Sequence, residues 1–418
     1  MSLFRNVRTF DSLSLRDFRY LWLGQVSVGM GFWMDSVSRS WLIYQMTGSP
    51  FQLGLVNAVK GVPLLAFGMI AGAVADRYGR KMQLVLSQGV NAVLNVILAL
   101  LILTGNIEPW HIYVTAFLAG TVQAFQQPAR QVLISEIVGE KHLLNAISLN
   151  SAAVNLSKSV GPAICGILIQ SLGVDYSYFV QAGFYILATV WSIQIRVPKA
   201  AVTAKSLEYA KAVAGQSLFG GIREGVRYVL SQPLIMALLV LELVPALLGN
   251  PFTSLMPIFA IDIFHGDAHT QGLLLTMLGI GALVGALLMA SLGKWQGSGQ
   301  FLIAGAAGFG LSLAFFAYSP VLGLAMFFVF LAGVLDSAYT SQNLTMIQLL
   351  TPAEFRGRVM GIRMLDRGLQ PLGSLLAGAL AALLGGPAAV MIMGASCFLV
   401  AVIVGLSARR LWHLKSVS

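Results

Sequence analysis

The sequence predicts an all-α membrane protein, with twelve transmembrane helices arranged as two pseudo-symmetric six-helix bundles. Composition carries the first part of that prediction. Of 418 residues, 57% are hydrophobic and 10% charged, with 44 glycines and a mean hydropathy of +0.80. Soluble domains carry roughly a quarter charged residues. Length carries the second part: a helical span needs about 20 apolar residues, so twelve spans use roughly 240 and leave ordinary connections between them. The third observation is a weak internal repeat, developed below.

The chain opens with a segment, 1–19, in which Arg5, Arg8, Arg16 and Arg19 mix with Asp11 and Asp17. It lacks the short apolar core and small-residue cleavage site of a signal peptide, and reads as an amphipathic helix on the membrane surface. Apolar runs then place six spans within 20–196, near 20–45, 51–75, 82–104, 110–135, 145–171 and 176–196. The break after the first span follows from "TGSPFQ": Ser49 is a cap residue, Pro50 suits a first helical position, and Gln52 completes a capping-box pattern. A polar linker, 197–232, ends in "GIREGVRYVL", whose apolar and basic residues recur at helical spacing, as in an interfacial helix. Six more spans fill 233–408, near 233–261, 268–292, 300–318, 320–348, 358–384 and 387–408. Pro245 and Pro251 are expected to bend the seventh. A short tail, 409–418, follows.

Charge sets the expected orientation. Of the 26 Lys and Arg, 23 fall on one set of connections or at the span ends beside them, and none in the opposite loops. The positive-inside rule makes that side, with both termini and the linker, cytoplasmic. A net charge of +10 therefore reports topology rather than nucleic-acid binding. Cys165 and Cys397 lie in apolar runs, without disulfide framework or metal spacing. "DIFHGDAHT", 262–270, gathers Asp262, His265, Asp267 and His269 too loosely to predict a metal site.

The halves resemble each other. "FLAG" occurs at 117–120 and 330–333; "GPAICG" at 161–166 parallels "GSLLAG" at 373–378; "GAVADRYGRKMQL" has a degenerate counterpart at 290–302. Duplication about an axis along the membrane normal is a transporter signature, with the substrate site expected between the halves near the midplane.

"GAVADRYGRK", 72–81, resembles motif A of the major facilitator superfamily, in which Gly72, Asp76, Arg77, Gly79, Arg80 and Lys81 all match. "WLIYQMTGSPFQLGLV", "QPARQVLISEIV" and "TPAEFRGRVMGI" resemble its exporter branch, which includes bacterial enterobactin exporters and drug-efflux proteins. "SVGPAICG" resembles the antiporter motif of the fifth span through Gly161, Pro162 and Gly166, although Cys165 stands where the family often has a second glycine. The resemblance covers nearly the whole chain. It implies the major facilitator fold in a bacterial cytoplasmic membrane, with Asp76 latching the halves against the eleventh span, where Arg356 and Arg358 lie, with Arg130 as third member. The alternative for Arg77, Arg80 and Lys81 is simple retention of the loop in the cytoplasm.

Away from the cytoplasmic span ends, six charges lie inside spans: Asp35, Glu242, Asp336, Arg39, Lys60 and Lys158. Each costs about 2.5–3.5 kcal/mol at mid-span by insertion scales, so each should face a polar cavity or a partner. Asp35 and Arg39, four apart on one helix, either pair structurally or exchange a proton, with Lys158 as alternative partner. Glu242 and Asp336 either carry a coupling proton or satisfy neighbouring polar groups. Arg39, Lys60 and Lys158 are candidates to meet an anionic substrate group. Phe32 and Trp33, with Trp41 and Tyr44, either form a stacking wall or pack. Gln123, Gln126 and Gln127, with Asn343, are candidate cavity hydrogen-bonders.

No phosphate-cradling loop is present, since Gly293-Lys294 is followed by Trp295, and no nucleophile–base or "HExxH" constellation occurs. The expectation is therefore a secondary carrier rather than an enzyme: a cofactor-free monomer in the lipid bilayer, exporting small organic molecules, drug-like or siderophore, against protons. Uptake or lysolipid transfer is the alternative direction. A receptor or scaffold is a second alternative.

Overall fold

The computed structural model describes residues 11–196, 218–291 and 299–408; the side chains of 68–78, 140, 141, 218–222, 353 and 367 lie outside the description. Among the described residues all regular structure is helical. After a short 3₁₀ turn, Asp11–Ser14, come α1 (Arg16–Thr47), α2 (Pro50–Tyr78), α3 (Arg80–Leu103), α4 (Pro109–Leu172) and α5 (Val174–Gln194). Beyond the linker lie α6 (Leu218–Ser231), α7 (Pro233–Val244), α8 (Ala268–Ser291), α9 (Gly299–Ala317), α10 (Leu322–Leu350), α11 (Ala353–Arg363), α12 (Asp366–Leu384) and α13 (Gly386–Ser407).

Nine helical stretches among the described residues are long and apolar enough to cross a membrane. α1, the first arm of α4, and α5 are not among them. Asp35 and Arg39 in α1, and Gln181 and the tyrosines of α5, lower the hydropathy of helices that are nonetheless long enough to span.

Several boundaries follow from backbone chemistry. Gly79 separates α2 from α3 at φ +77°, a conformation that glycine alone adopts without cost. Gly139, at φ +64°, kinks the 64-residue α4 into two arms, which correspond to the fourth and fifth expected spans. Glu108 caps α4 in a reciprocal box with His111, with Pro109 at the first helical position. The capping box expected at Ser49 does not form. The Ser49 N–H donates to Thr47 Oγ1 at 3.3 Å, and the buried Gln52 side-chain oxygen has no partner among the described residues.

Contacts divide the chain into two compact units: 1–39 with 62–204, and 40–61 with 205–418. The boundary thus passes through α1 and α2 rather than through the linker alone. In the first unit, Phe18, Leu21, Leu84, Leu133, Ile134, Val138, Leu149 and Ile195 form a buried core that joins α1, α3 and both arms of α4. The second is built on close helix approach. A Cβ placed on Gly281, Gly285 or Gly333 would lie 2.1–2.3 Å from a backbone oxygen across the α8–α10 contact. Small residues at such contacts let backbones meet where the hydrophobic effect supplies no drive between helices.

Two spans in the second unit are interrupted. The expected bend of the seventh is a sequence of irregular turns: π-helical at Pro245–Gly249, 3₁₀ at Asn250–Leu255, a short α-turn, and π-helical again at Phe259–Ile263. Prolines at 245, 251 and 257 lack the N–H that a regular ladder requires. The expected eleventh span, 358–384, is two helices. A turn at Met364–Leu365 separates α11 from α12, so Arg356 and Arg358 belong to α11 rather than to the apolar helix that follows.

Candidate functional site

In the second unit Glu242 lies three residues before the π-helical turn of the seventh span, 5% exposed. Its Oε1 accepts from Arg363 Nη2 at 2.6 Å, and its Oε2 from Asn343 Nδ2 at 2.9 Å. Asn343, fully buried on α10, also donates to the Leu238 carbonyl at 2.9 Å. Asp336 and Asp366 lie within electrostatic reach of Glu242. Asp336, Tyr339 and Asn343 succeed one another at helical spacing along α10, and Tyr339 hydrogen-bonds Asp336.

Local structure explains this arrangement. Arg363 is the last residue of α11, and its guanidinium reaches back to a carboxylate on another interrupted span. π-bulges concentrate at functional sites, and discontinuous transmembrane helices form the ion and substrate sites of transporters. The ion pair and hydrogen bond give a buried carboxylate two donors, which offset its desolvation. Two acceptor and donor positions are left over: Asn343 Oδ1 and Arg363 Nε are buried and without partners among the described residues.

A different cluster occupies the first unit. Asp35 and Arg39, both nearly buried, pair at 2.7 Å within α1. Arg39 Nη1 also donates to the Ile112 carbonyl at 3.0 Å and Thr115 Oγ1 at 2.9 Å. The guanidinium is thereby spread across α1 and α4. One turn away, Ser38 Oγ meets Cys165 Sγ at 3.0 Å and Ser177 Oγ at 2.8 Å, and Gln181 donates to both serines. Lys158 lies over the Trp33 ring, 5.7 Å from its centroid, and Phe32 meets Trp33 edge-on at 5.4 Å.

The antiporter-like stretch packs against the same helix. A Cβ on Gly161 would stand 2.9 Å from Trp33 Cβ, so α1 and α4 approach closely there. Gly161, Pro162 and Gly166 are all buried. Cys165 hydrogen-bonds the Met34 carbonyl at 3.3 Å as well as the serines.

The motif A residues divide. Gly72, Asp76 and Arg77 fall within the stretch whose side chains lie outside the description, so the structure places them on α2 and says nothing of their partners. Arg80 forms an ion pair with Glu136, and Lys81 Nζ donates to the Ile193 carbonyl at 2.6 Å. Arg130, 3% exposed, donates to the Leu21 carbonyl at 3.3 Å. Arg358 pairs with Glu224 of α6 at 3.0 Å, and Arg356 is exposed. Lys60, Gln123 and Gln127 are half-buried on α2 and α4, and Gln126 is buried.

Sequence reasoning missed Arg363, which reads there as one more basic residue at a span end. It also missed two polar contacts of the outer α1 turns: Tyr44 donates to Asp262, and Gln271 Nε2 to Ser40 Oγ at 2.8 Å. Asp262 and Asp267 of the 262–270 stretch are thus engaged otherwise, Asp267 as a cap that accepts from the Thr270 N–H at 3.1 Å. The one available signal was the coincidence of Glu242 with two downstream prolines in the same span.

An all-helical membrane fold with interrupted spans and buried, mutually paired acids and bases defines a secondary transporter. Residues 7–417 match the family described as "Transmembrane secretion effector". The chain belongs to that family, within the major facilitator superfamily. It is similar to the Staphyloferrin A transporter of Staphylococcus aureus, 24% identical over 396 residues that cover 94% of this chain and 96% of that one. It is 29% identical to the multidrug efflux pump Tap of Mycolicibacterium fortuitum, over 85% of this chain and 87% of that protein. The enterobactin exporter EntS of Citrobacter koseri is 26% identical, over 77% of this chain and 74% of its own length. Solved structures share the fold: the nucleoside transporter NupG, with a TM-score of 0.73 at 12% identity, covers 96% of this chain and all of its own. A bacterial homologue of the lysosomal transporter Spinster follows, with a TM-score of 0.70 at 15% identity, covering 95% of this chain and 96% of that one.

Proposed function

We propose that this transporter exports small organic molecules, of siderophore or drug-like type, by alternating access driven by protons, with Glu242 as the coupling carboxylate. The observation that carries this reading is the pairing of buried Glu242 with Arg363 and Asn343, at the point where two spans lose regular helix. A proton on Glu242 cancels its charge and releases Arg363. A substrate group that displaces Arg363 favours the opposite change. Such competition for one site couples two ligands through their differential affinity for two states.

Asp336 is the neighbouring acid that takes up the proton from Glu242 in this scheme, and the Asp35–Arg39 pair braces the first unit. Arg39, Lys60, Lys158, Phe32, Trp33, Gln123, Gln127 and Asn343 remain the candidates to meet substrate. Motif A, with Asp76, Arg130, Arg356 and Arg358, is the proposed latch. The six-helix divisions at 20–196 and 233–408, cytoplasmic termini and a monomeric state complete the proposal. The names of the staphyloferrin, enterobactin and multidrug relatives support the substrate class.

Efflux of a siderophore and of cationic dyes, measured in energised inverted vesicles with and without a protonophore, tests the reading. Uptake into the vesicles that collapses with the proton gradient is expected. Transport indifferent to the gradient, or only in the reverse direction, overturns it.

A further inference from the structure

α6 presents two different faces. Gly225 and Tyr228 pack on α11, and Val229 beside them is buried. The Tyr228 and Phe355 rings stack at 4.1 Å with 5° between planes, a Cβ on Gly225 would touch Arg358 Cβ at 3.0 Å, and Glu224 pairs with Arg358. α6 and α11 are thereby held as one two-helix platform.

The outer face of α6 is a single stripe at i, i+3, i+4 and i+7: Arg223, Val226, Arg227 and Leu230, all exposed, with Leu230 66% accessible. The packing of the helix is carried by its inner face, and the outer stripe is left for the surroundings. Neither arginine has an acidic partner among the described residues, because Glu224, the acid beside them, is engaged by Arg358. Only Gln232 separates α6 from Pro233, the first residue of a stretch long and apolar enough to cross a membrane.

We infer that the outer face of α6 is a docking surface for anionic phospholipid headgroups, with Arg223 and Arg227 meeting the phosphates and Val226 and Leu230 entering the acyl boundary. Basic residues beside alternating apolar ones are the means by which an interfacial helix reads anionic lipid. The inference is independent of the transported substrate.

Binding of short-chain phosphatidylglycerol and phosphatidylcholine to the full-length protein in detergent tests it. The wild type should prefer phosphatidylglycerol, and the preference should fall with added salt. Arg223→Gln with Arg227→Gln should weaken phosphatidylglycerol about tenfold and leave phosphatidylcholine unchanged. Val226→Ser with Leu230→Ser should weaken both lipids. All four residues are exposed, so the thermal unfolding midpoint should not move. Equal binding of the two lipids by the wild type, a preference indifferent to salt, or undiminished phosphatidylglycerol binding by the arginine variant overturns the assignment.

Discussion

Arg363 donates to Glu242 at 2.6 Å across 121 residues of sequence, from the last residue of a helix to a carboxylate just ahead of a π-helical turn. Each partner stands beside a break in its own span.

Glu242→Gln keeps the side-chain shape and an acceptor for Asn343 but loses the charge that holds Arg363. Gradient-driven export should be abolished while substrate exchange at equal concentrations persists. The check is the ratio of the two rates in reconstituted vesicles. Full gradient-driven export by the variant would remove Glu242 from the coupling mechanism.

The Asp35–Arg39 pair makes a stability prediction instead. Asp35→Asn leaves a buried guanidinium without its carboxylate, at a cost of about 3–5 kcal/mol. Arg39→Gln added to it removes the stranded charge, so the double variant should unfold at higher temperature than the single one. Thermal unfolding of the purified variants in detergent reads this order.

Close approach at Gly285 can be tested in the same assay. Alanine there would put a Cβ 2.3 Å from the Val334 carbonyl oxygen, and overpacking of that kind costs about 1–3 kcal/mol. Gly323→Ala is the control, since a Cβ there meets nothing within 4 Å. A lowered midpoint is expected for the first and none for the second.

Asp76→Asn tests the latch proposed from motif A. Transport should fall and the balance between inward- and outward-open states should shift, with insertion unchanged. Accessibility of cysteines introduced on either side of the membrane measures the shift. Unaltered accessibility and transport would leave the loop charges with a topological role alone.

Much of the architecture was legible because membrane insertion imposes strong local rules. Apolar runs between Gly and Pro punctuation placed α3, α5, α8, α9, α10 and α13 to within a few residues of their ends. Pro245 and Pro251 announced an irregular seventh span, since a missing N–H disrupts a helix wherever it lies. Where the breaking signal is weak, the reading failed. "RMLDRG" contains no proline, and the turn at Met364–Leu365 that divides the eleventh span was invisible. The pattern at Ser49 and Gln52 suggested a capping box, but the Thr47 hydroxyl took the donor first.

The acids and bases inside the membrane were identifiable from sequence, as was the neighbour relation of Asp35 and Arg39, because helical periodicity fixes contacts four residues apart. Periodicity says nothing of partners more than a hundred residues away. By itself the sequence determined a helical membrane carrier, its motif A and antiporter-like stretches, and the short list of charged residues within its spans. The tertiary structure alone decided that Arg363 belongs with Glu242 and Asn343, that Arg358 belongs with Glu224, and that Tyr44 reaches Asp262. Those pairings depend on which faces of distant helices meet, and a close approach such as that of Gly225 to Arg358 is permitted by the absence of a side chain, which no local pattern announces.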